Sequence, residues 1–99
     1  MNHTPQKDRT ASRLVRVEGG TLRVPVTLRN YRGIRLMVHR HVDPGHGGYT
    51  CSHEPTGWAV AHGETAFQAA TQGEGKIEGN WDALPEILRD IPVINRATY

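Results

Sequence analysis

The chain has 99 residues, which suits one small domain with one core and is too short for a second domain. Hydrophobic residues make up only 36% and there are 11 glycines, a composition that favours a sheet protein with a thin core. Residues 1–42 hold nine Lys and Arg against two acids, a net charge of +7, whereas residues 43–99 hold three against eight, a net −5. The formal charge of +2 therefore hides a strong dipole, which bears on partners and not on fold.

Targeting features are sparse. No apolar run is long enough for a membrane span, and the polar start of the chain lacks the apolar stretch of a signal peptide. The single cysteine, Cys51, has no partner for an internal disulfide. We therefore expect a protein of the cytoplasm.

The first part of the chain predicts a tail followed by a hairpin. Residues 1–12 are expected to form a disordered tail, and residues 13–99 a single α+β domain. Strands are predicted at 14–17 and 21–29 around the turn Glu18-Gly19-Gly20. Residues 21–29 alternate apolar and polar side chains, which is typical of a half-buried strand. Pro25 within it predicts a sheet edge or an outward-facing nitrogen.

The middle of the chain predicts three more strands. Residues 34–42 alternate again after the turn at 30–33, and a glycine-rich loop follows at 43–48. Two short strands are predicted at 49–53 and 58–62, joined by a turn containing Pro55 and Gly57.

The last third predicts two short helices. Thr65 and Gln68 have capping-box spacing, so the first helix begins there, and Gly73 and Gly75 are expected to end it. The second helix is predicted at 83–90, capped by Asp82, and residues 93–99 form a tail or a last strand. The predicted fold class is α+β, an antiparallel sheet of about five strands with the two helices packed on one face.

The sheet predicts a basic surface. If the helices cover the aliphatic face, the other face carries six basic or titratable side chains: Arg16, Arg23, Arg29, Arg35, His39 and His41. Such a face fits an acidic partner or phosphates. The turn residues Tyr31 and Arg32, together with Trp81, are predicted as further contacts. The alternative is a solvated face attracted to the acidic half of the same chain.

Six histidines raise the question of a metal site. If Thr50 pairs with Val42, then His39, His41, Cys51 and His53 converge on one face as an acceptable zinc ligand set. If Val42 pairs with Tyr49 or Cys51, those residues join the aliphatic stripe and the histidines are divided between the two faces. Burial favours the second register, so no metal and no cofactor is predicted.

A histidine-based ribonuclease is an enzymatic alternative. His39 and His41 would act as acid and base, and Arg35 would stabilise the developing charge. No other catalytic pattern is present in the sequence, so the favoured hypothesis is a protein that is not an enzyme.

The segment 48–69 has a recurring pattern. A strand ends in a turn with Pro55 and Gly57, a second strand ends in Gly63-Glu64-Thr65, and a helix follows. It resembles the β-β-β-α core of HicB-type antitoxins, which is similar to part of the double-stranded-RNA-binding fold, and also short segments of small phage and plasmid accessory proteins. The resemblance implies a mobile-element protein that binds another macromolecule.

The sequence therefore predicts a small non-enzymatic phage or mobile-element protein that blocks a host complex through its basic face, as an anti-CRISPR-like inhibitor does. Its partner would be a host protein or nucleoprotein complex with an acidic or phosphate-lined surface. The alternative is a nucleic-acid-binding regulator or antitoxin-like protein, and the ribonuclease comes third. A homodimer that pairs the two charged halves head to tail is a further expectation.

Overall fold

The computed structural model describes residues 9–43 and 45–96. Five strands form one antiparallel sheet in which every neighbour is the next strand in sequence, and two helices follow, so the predicted α+β class is confirmed. The strands are β1 (Arg9–Val17), β2 (Gly20–Tyr31), β3 (Ile34–Arg40), β4 (Tyr49–His53) and β5 (Ala59–Gly63). The helices are α1 (Ala66–Gly79) and α2 (Leu84–Arg89), joined by a 3-10 turn (Trp81–Ala83).

The start of the sheet lies earlier than predicted. β1 begins at Arg9, so residues 9–12 belong to a strand and not to a tail, while residues 1–8 of the predicted tail lie outside the described residues. β3 ends at Arg40, two residues before its predicted end, and β5 is shifted by one residue. β4 has its predicted bounds.

α1 begins as predicted but is longer. The Oγ1 atom of Thr65 accepts a hydrogen bond from the N–H of Gln68 at 3.1 Å, which confirms the cap, and Oε1 of Gln68 accepts from the N–H of Glu64. The prediction that Gly73 and Gly75 end the helix is wrong, because α1 continues to Gly79. Gly73 instead allows close packing, since a Cβ there would lie 2.9 Å from Cβ of Cys51 and would overlap its Sγ atom.

The second helix is shorter than predicted. α2 follows directly on the 3-10 turn, and Asp82 makes no capping bond there, since the N-cap residue is Ala83. Residues 93–96 form no strand; the N–H groups of Ile94 and Asn95 both donate to the carbonyl of Pro55. Residues 97–99 lie outside the described residues.

The helices cover one face of β3, β4 and β5, which we call the helix-side face. The core between them is built from small and aliphatic side chains of the sheet and of both helices: Leu36, Val38, Cys51, Val60, Ala61, Ala69, Ala70, Ile77 and Leu84. Trp58 and Trp81 are half-buried at its margin. The predicted packing of both helices on one face is therefore confirmed.

The turn between β2 and β3 determines which side chains share a face. Arg32 and Gly33 both have positive φ values, 53° and 87°, as a two-residue type I′ hairpin turn requires. This turn pairs Arg29 with Leu36, and Leu28 with Met37. The aliphatic side chains of β2 consequently point to the face of the sheet that does not carry Leu36. The sequence pattern had predicted that the aliphatic side chains of all strands share one face.

That opposite face is covered by the sheet itself. β2 pairs with β3 only from Thr27 to Tyr31, and its first seven residues pair with β1 alone. We call β1 together with residues 20–26 the hairpin arm. The arm folds across the sheet and forms a second core around Val15, Val26 and Met37. The aliphatic stripe of β2 is thereby buried at Val26 and partly buried at Val24 and Leu28 without a second layer of helices, while Leu22 stays exposed.

Two buried polar side chains hold the arm in place. Asn95 accepts from the N–H of Leu14 and donates to its carbonyl, both at 2.8 Å, and it also donates to the carbonyl of Glu54 at 2.7 Å. The Glu54 carboxylate, 1% exposed, accepts from Nε of Arg13 in the arm at 2.7 Å and from Nε of Arg35 in β3 at 3.1 Å. These contacts join the arm, the 54–57 turn and the C-terminal segment.

Candidate functional site

The predicted single basic face is wrong. Arg29 pairs with Leu36 and therefore lies on the helix-side face, whereas Arg35 alternates with Leu36 and lies on the other. Arg16 and Arg23 share the orientation of Arg29, while His39 and His41 share that of Arg35. The six side chains are therefore divided between two faces, because the I′ turn sets the register of β2 against β3.

Several arginines that were predicted to contact a partner bind acidic residues of the same chain. Arg29 bonds Glu74 of α1 at 3.1 Å, and Arg32 bonds Glu78 at 2.6 Å. Arg32 also lies over the ring of Trp81, 4.0 Å from its centroid, and Trp81 is half-buried, so its predicted role as a partner contact stays a prediction. Part of the charge dipole is thus neutralised within one chain, while the homodimer stays a prediction.

The turn that carries Tyr31 and Arg32 is likewise joined to α1. The hydroxyl of Tyr31 donates to Glu78 at 2.8 Å. The hydrogen bond from Arg32 and this one from Tyr31 hold the pKa of Glu78 below its usual range. Arg16 donates to the carbonyls of Thr56 and Pro92, at 2.8 and 2.7 Å. Their predicted partner role stays a prediction, but these groups would have to exchange internal contacts for external ones.

The strands that carry the histidines, β3 and β4, pair so that the apolar side chains are buried together. Cys51 pairs with Val38 and lies in the helix-side core, and His39 faces the other way, so the facing is confirmed although the pairing partners differ from those expected. Over residues 9–43 and 45–96, no group of three His, Cys, Asp or Glu side chains is placed to hold a metal ion. Burial raises the pKa of the Cys51 thiol to about 12, as befits a core side chain.

The residues of the ribonuclease hypothesis do not form a common open site. His39 is buried, with Nδ1 bonded to the carbonyl of Arg40 and Nε2 to the hydroxyl of Ser52. His39 and His41 both line a cavity of about 410 Å³, but Arg35 does not line it and is bonded to Glu54 instead.

Two buried histidines should make stability depend on pH. Burial lowers the pKa of His39 and of His53 below 6.5, the usual value, because the charged form is desolvated. The unfolded chain binds protons at these histidines more readily than the folded protein does. The free energy of unfolding is therefore highest above about pH 6.5 and falls as the pH drops toward the lowered pKa values of the folded state. Urea unfolding at pH 7.5 and 5.0 measures this loss, which His39→Gln should reduce.

Thr71 supplies the control for this prediction. Its side chain is exposed and carries no titrating group, so Thr71→Ala should leave the pH slope of the wild type unchanged. Equal slopes for His39→Gln and the wild type would contradict the role assigned to burial.

A more promising site lies where β2 leaves β3. The N–H and the carbonyl of Leu14 both bond Asn95, so the main-chain groups of even-numbered β1 residues point away from β2. Ser12 therefore points away too, and its partner Pro25 turns its nitrogen toward β3. Since proline has no N–H to donate to β3, the ladder between β2 and β3 ends at Thr27, and a cleft opens beyond it.

Three adjoining cavities follow this end of the sheet, and together we call them the end groove. The middle cavity, about 410 Å³, lies between Leu22 and Val24 of the arm and the 39–42 segment. It shares Thr27 and Val38 with a cavity of about 230 Å³ beside α1, and His41 and Tyr49 with one of about 760 Å³ beside the 46–48 loop. The three cavities therefore adjoin at these shared lining residues, and they reach from the helix-side face, at Phe67, to the opposite face, at His41 and His62.

The end groove is rich in flat rings and poor in acids. Its lining includes six such rings, Tyr49, Phe67, His39, His41, His46 and His62, of which His39 is buried. Phe67 is 76% exposed, although it is the one phenylalanine of the chain, and Leu22 is 46% exposed. Arg40 is exposed with its guanidinium 5.4 Å from the centroid of Tyr49, and Glu64 is the one acidic residue among the described lining residues.

Sequence reasoning missed Phe67, although a helical wheel could have found it. The buried side of α1 is formed by Ala69, Ala70, Gly73 and Ile77. Phe67 falls to one side of that stripe, so a helix over 66–79 leaves its ring outside the core. The expectation of an early helix end hid this pattern.

Among known proteins, no family model, no curated protein and no solved structure matches this chain. The resemblance to HicB-type antitoxins therefore stays a prediction. None of the helices formed by the described residues is both long enough and apolar enough to cross a bilayer. A hypothesis about function must accordingly be drawn from the end groove and its surroundings.

Proposed function

We propose that this protein is a small non-enzymatic binding protein that docks on an acidic or phosphate-lined surface of a larger complex and thereby blocks it. The end groove is the docking surface in this proposal, in place of the flat basic sheet face that the sequence suggested. The complex would belong to a host cell, and the protein would inhibit it in the host cytoplasm. The resemblance of residues 48–69 to phage and plasmid accessory proteins supports this role.

The observation that carries this proposal is the exposure of Phe67 and Leu22 beside the same groove. In a chain with 36% hydrophobic residues, large apolar side chains are scarce, and leaving two of them in water costs core stability. Exposed apolar groups with an arginine nearby have the composition of a binding surface, where aromatic and arginine side chains contribute most of the affinity.

The charge of the groove supports the sign of the partner. Arg40 lines it and Arg23 is exposed two positions from Pro25, whereas Arg29 lines it with its guanidinium bonded to Glu74. A positive groove attracts an acidic surface and repels a basic one, and this attraction weakens as salt is added.

Capture from a lysate of the cells in which the protein occurs tests the proposal. The tagged wild type should retain a defined complex at physiological salt, and Arg40→Glu should reduce the amount retained at least tenfold by reversing a charge at the groove. Arg89→Glu is the control, because Arg89 is also exposed but belongs to α2, away from the end groove. Equal retention by all three proteins would overturn the assignment of the groove.

A further inference from the structure

We propose that the end groove binds single-stranded nucleic acid, with bases stacking on Phe67 and the rings beside it and the sugar-phosphate backbone held by Arg40. This inference rests on the proposed function and names the part of the partner that the groove would contact. It does not depend on the abandoned basic sheet face.

The order of side chains along the groove fits a strand. Phe67 stands at one end, Tyr49 under Arg40 in the middle, and the three histidines at the other end. Proteins that bind single strands combine flat side chains, on which successive bases stack, with a groove of positive charge that follows the backbone. Every base has a flat face, so such a groove needs no particular sequence.

The histidine end of the groove is already arranged as a stack. The rings of His41 and His46 have centroids 4.8 Å apart and are 19° from parallel, and the ring of His62 is 5.0 Å from His41. The side chain of His46 is 63% exposed, and its Nε2 lies 3.6 Å from the carboxylate of Asp43.

Hydrogen bonds define how two of these rings would meet a strand. Nδ1 of His41 accepts the N–H of Asp43, so a neutral His41 carries its proton on Nε2 and can donate it to a phosphate or base oxygen. Nδ1 of His62 is bonded to the hydroxyl of Thr50. Burial, together with the nearby His41, Lys76 and His46, lowers the pKa of His62, which keeps that ring neutral and suited to stacking at pH 7.

The supply of free cations favours a single strand over a duplex. Non-specific binding of duplex DNA rests almost entirely on contacts between phosphates and positively charged side chains. In this protein Arg13, Arg32 and Arg35 are bonded to acids of the same chain, which leaves few arginines beside the groove. A surface that relies on stacking needs fewer charges, and a row of flat rings matches bases better than it matches the carboxylates of an acidic protein.

Fluorescence anisotropy with a fluorescein-labelled uridine dodecamer tests the inference. The wild type should bind at 50 mM salt, and Phe67→Ala should weaken binding at least fivefold by removing one stacking surface. Arg40→Gln should also weaken it and should reduce the slope of log affinity against log salt by about 0.7, the value for one phosphate contact on a single strand.

Two distant exposed residues supply matched controls. Val93→Ala removes an apolar side chain that is 61% exposed, and Arg89→Gln removes a positive charge on α2, so both should bind within twofold of the wild type. Circular dichroism checks that all variants are folded, as the exposure of the four side chains leads us to expect.

Three results would overturn the inference. They are no binding of the dodecamer by the wild type at 100 μM protein, unchanged binding by both groove variants, or equally effective competition by a 12-base-pair duplex. If the wild type ignores the dodecamer yet binds a polyglutamate peptide through Arg40, the inference fails and an acidic protein surface becomes the partner. The proposed function would survive that outcome, because the lysate experiment tests it separately.

Discussion

Replacing Glu54 by alanine should lower the free energy of unfolding by about 3 kcal/mol or more. The Glu54 carboxylate is 1% exposed and bonds both Arg13 and Arg35, so its removal leaves two guanidinium groups without their shared partner and a cavity between the arm and the sheet. We place the cost at the lower end of the range for a broken buried ion pair, because both arginines are partly exposed and can regain water.

Urea unfolding of three proteins measures this effect. Glu54→Gln keeps the shape of the side chain and one acceptor oxygen, so its loss should be smaller than that of Glu54→Ala. Glu86→Ala removes an exposed carboxylate on α2 and should change stability by no more than about 0.5 kcal/mol. A cost below about 1 kcal/mol for Glu54→Ala would show that the arm is held without this contact.

The same substitution at two glycines of α1 should have opposite effects. Gly75→Ala should stabilise the protein by up to about 1 kcal/mol, because alanine favours a helix and nothing lies within 4 Å of the new Cβ atom. Gly73→Ala gains the same helix propensity but brings Cβ into the Cys51 side chain, so it should destabilise by about 1–3 kcal/mol.

A double-mutant cycle assigns the cost at Gly73 to its neighbour. Cys51→Ala removes the Sγ atom, so Gly73→Ala should cost at least about 1 kcal/mol less in that background than in the wild type. Thermal unfolding of the four proteins provides the comparison. An additive cycle, or stabilisation by Gly73→Ala alone, would mean that α1 and β4 do not pack as closely as the structure indicates.

The sequence predicted the elements better than their arrangement. The alternation in 21–29 and 34–42 and the cap at Thr65 are local patterns. They correctly predicted two strands and the start of α1, because these features depend on neighbouring residues alone. The face on which each strand buries its side chains depends on hairpin register, which the backbone of Arg32 and Gly33 determines. A type I′ turn at those residues would have predicted that Arg29 and Arg35 face opposite ways.

The candidate site was harder to predict because it arises from an interruption. Pro25 was expected at an edge, but the cleft between β2 and β3 requires the arm to fold over the sheet, and Glu54 and Asn95 hold it there from distant parts of the chain. No local pattern reports such contacts, which span 41 and 81 residues. The rings of the groove likewise come from both halves of the chain, so the charge asymmetry of the sequence could not locate them.

The central claim is that the end groove is the binding surface of this protein. Amide chemical-shift mapping by NMR during titration with the unlabelled uridine dodecamer tests it most directly. We expect the largest shifts at His41, His46, Tyr49 and Phe67, with little change at Arg32, Trp81 or α2. Shifts concentrated at the Arg32 turn, or on the outer side of the arm around Arg16, would contradict the claim.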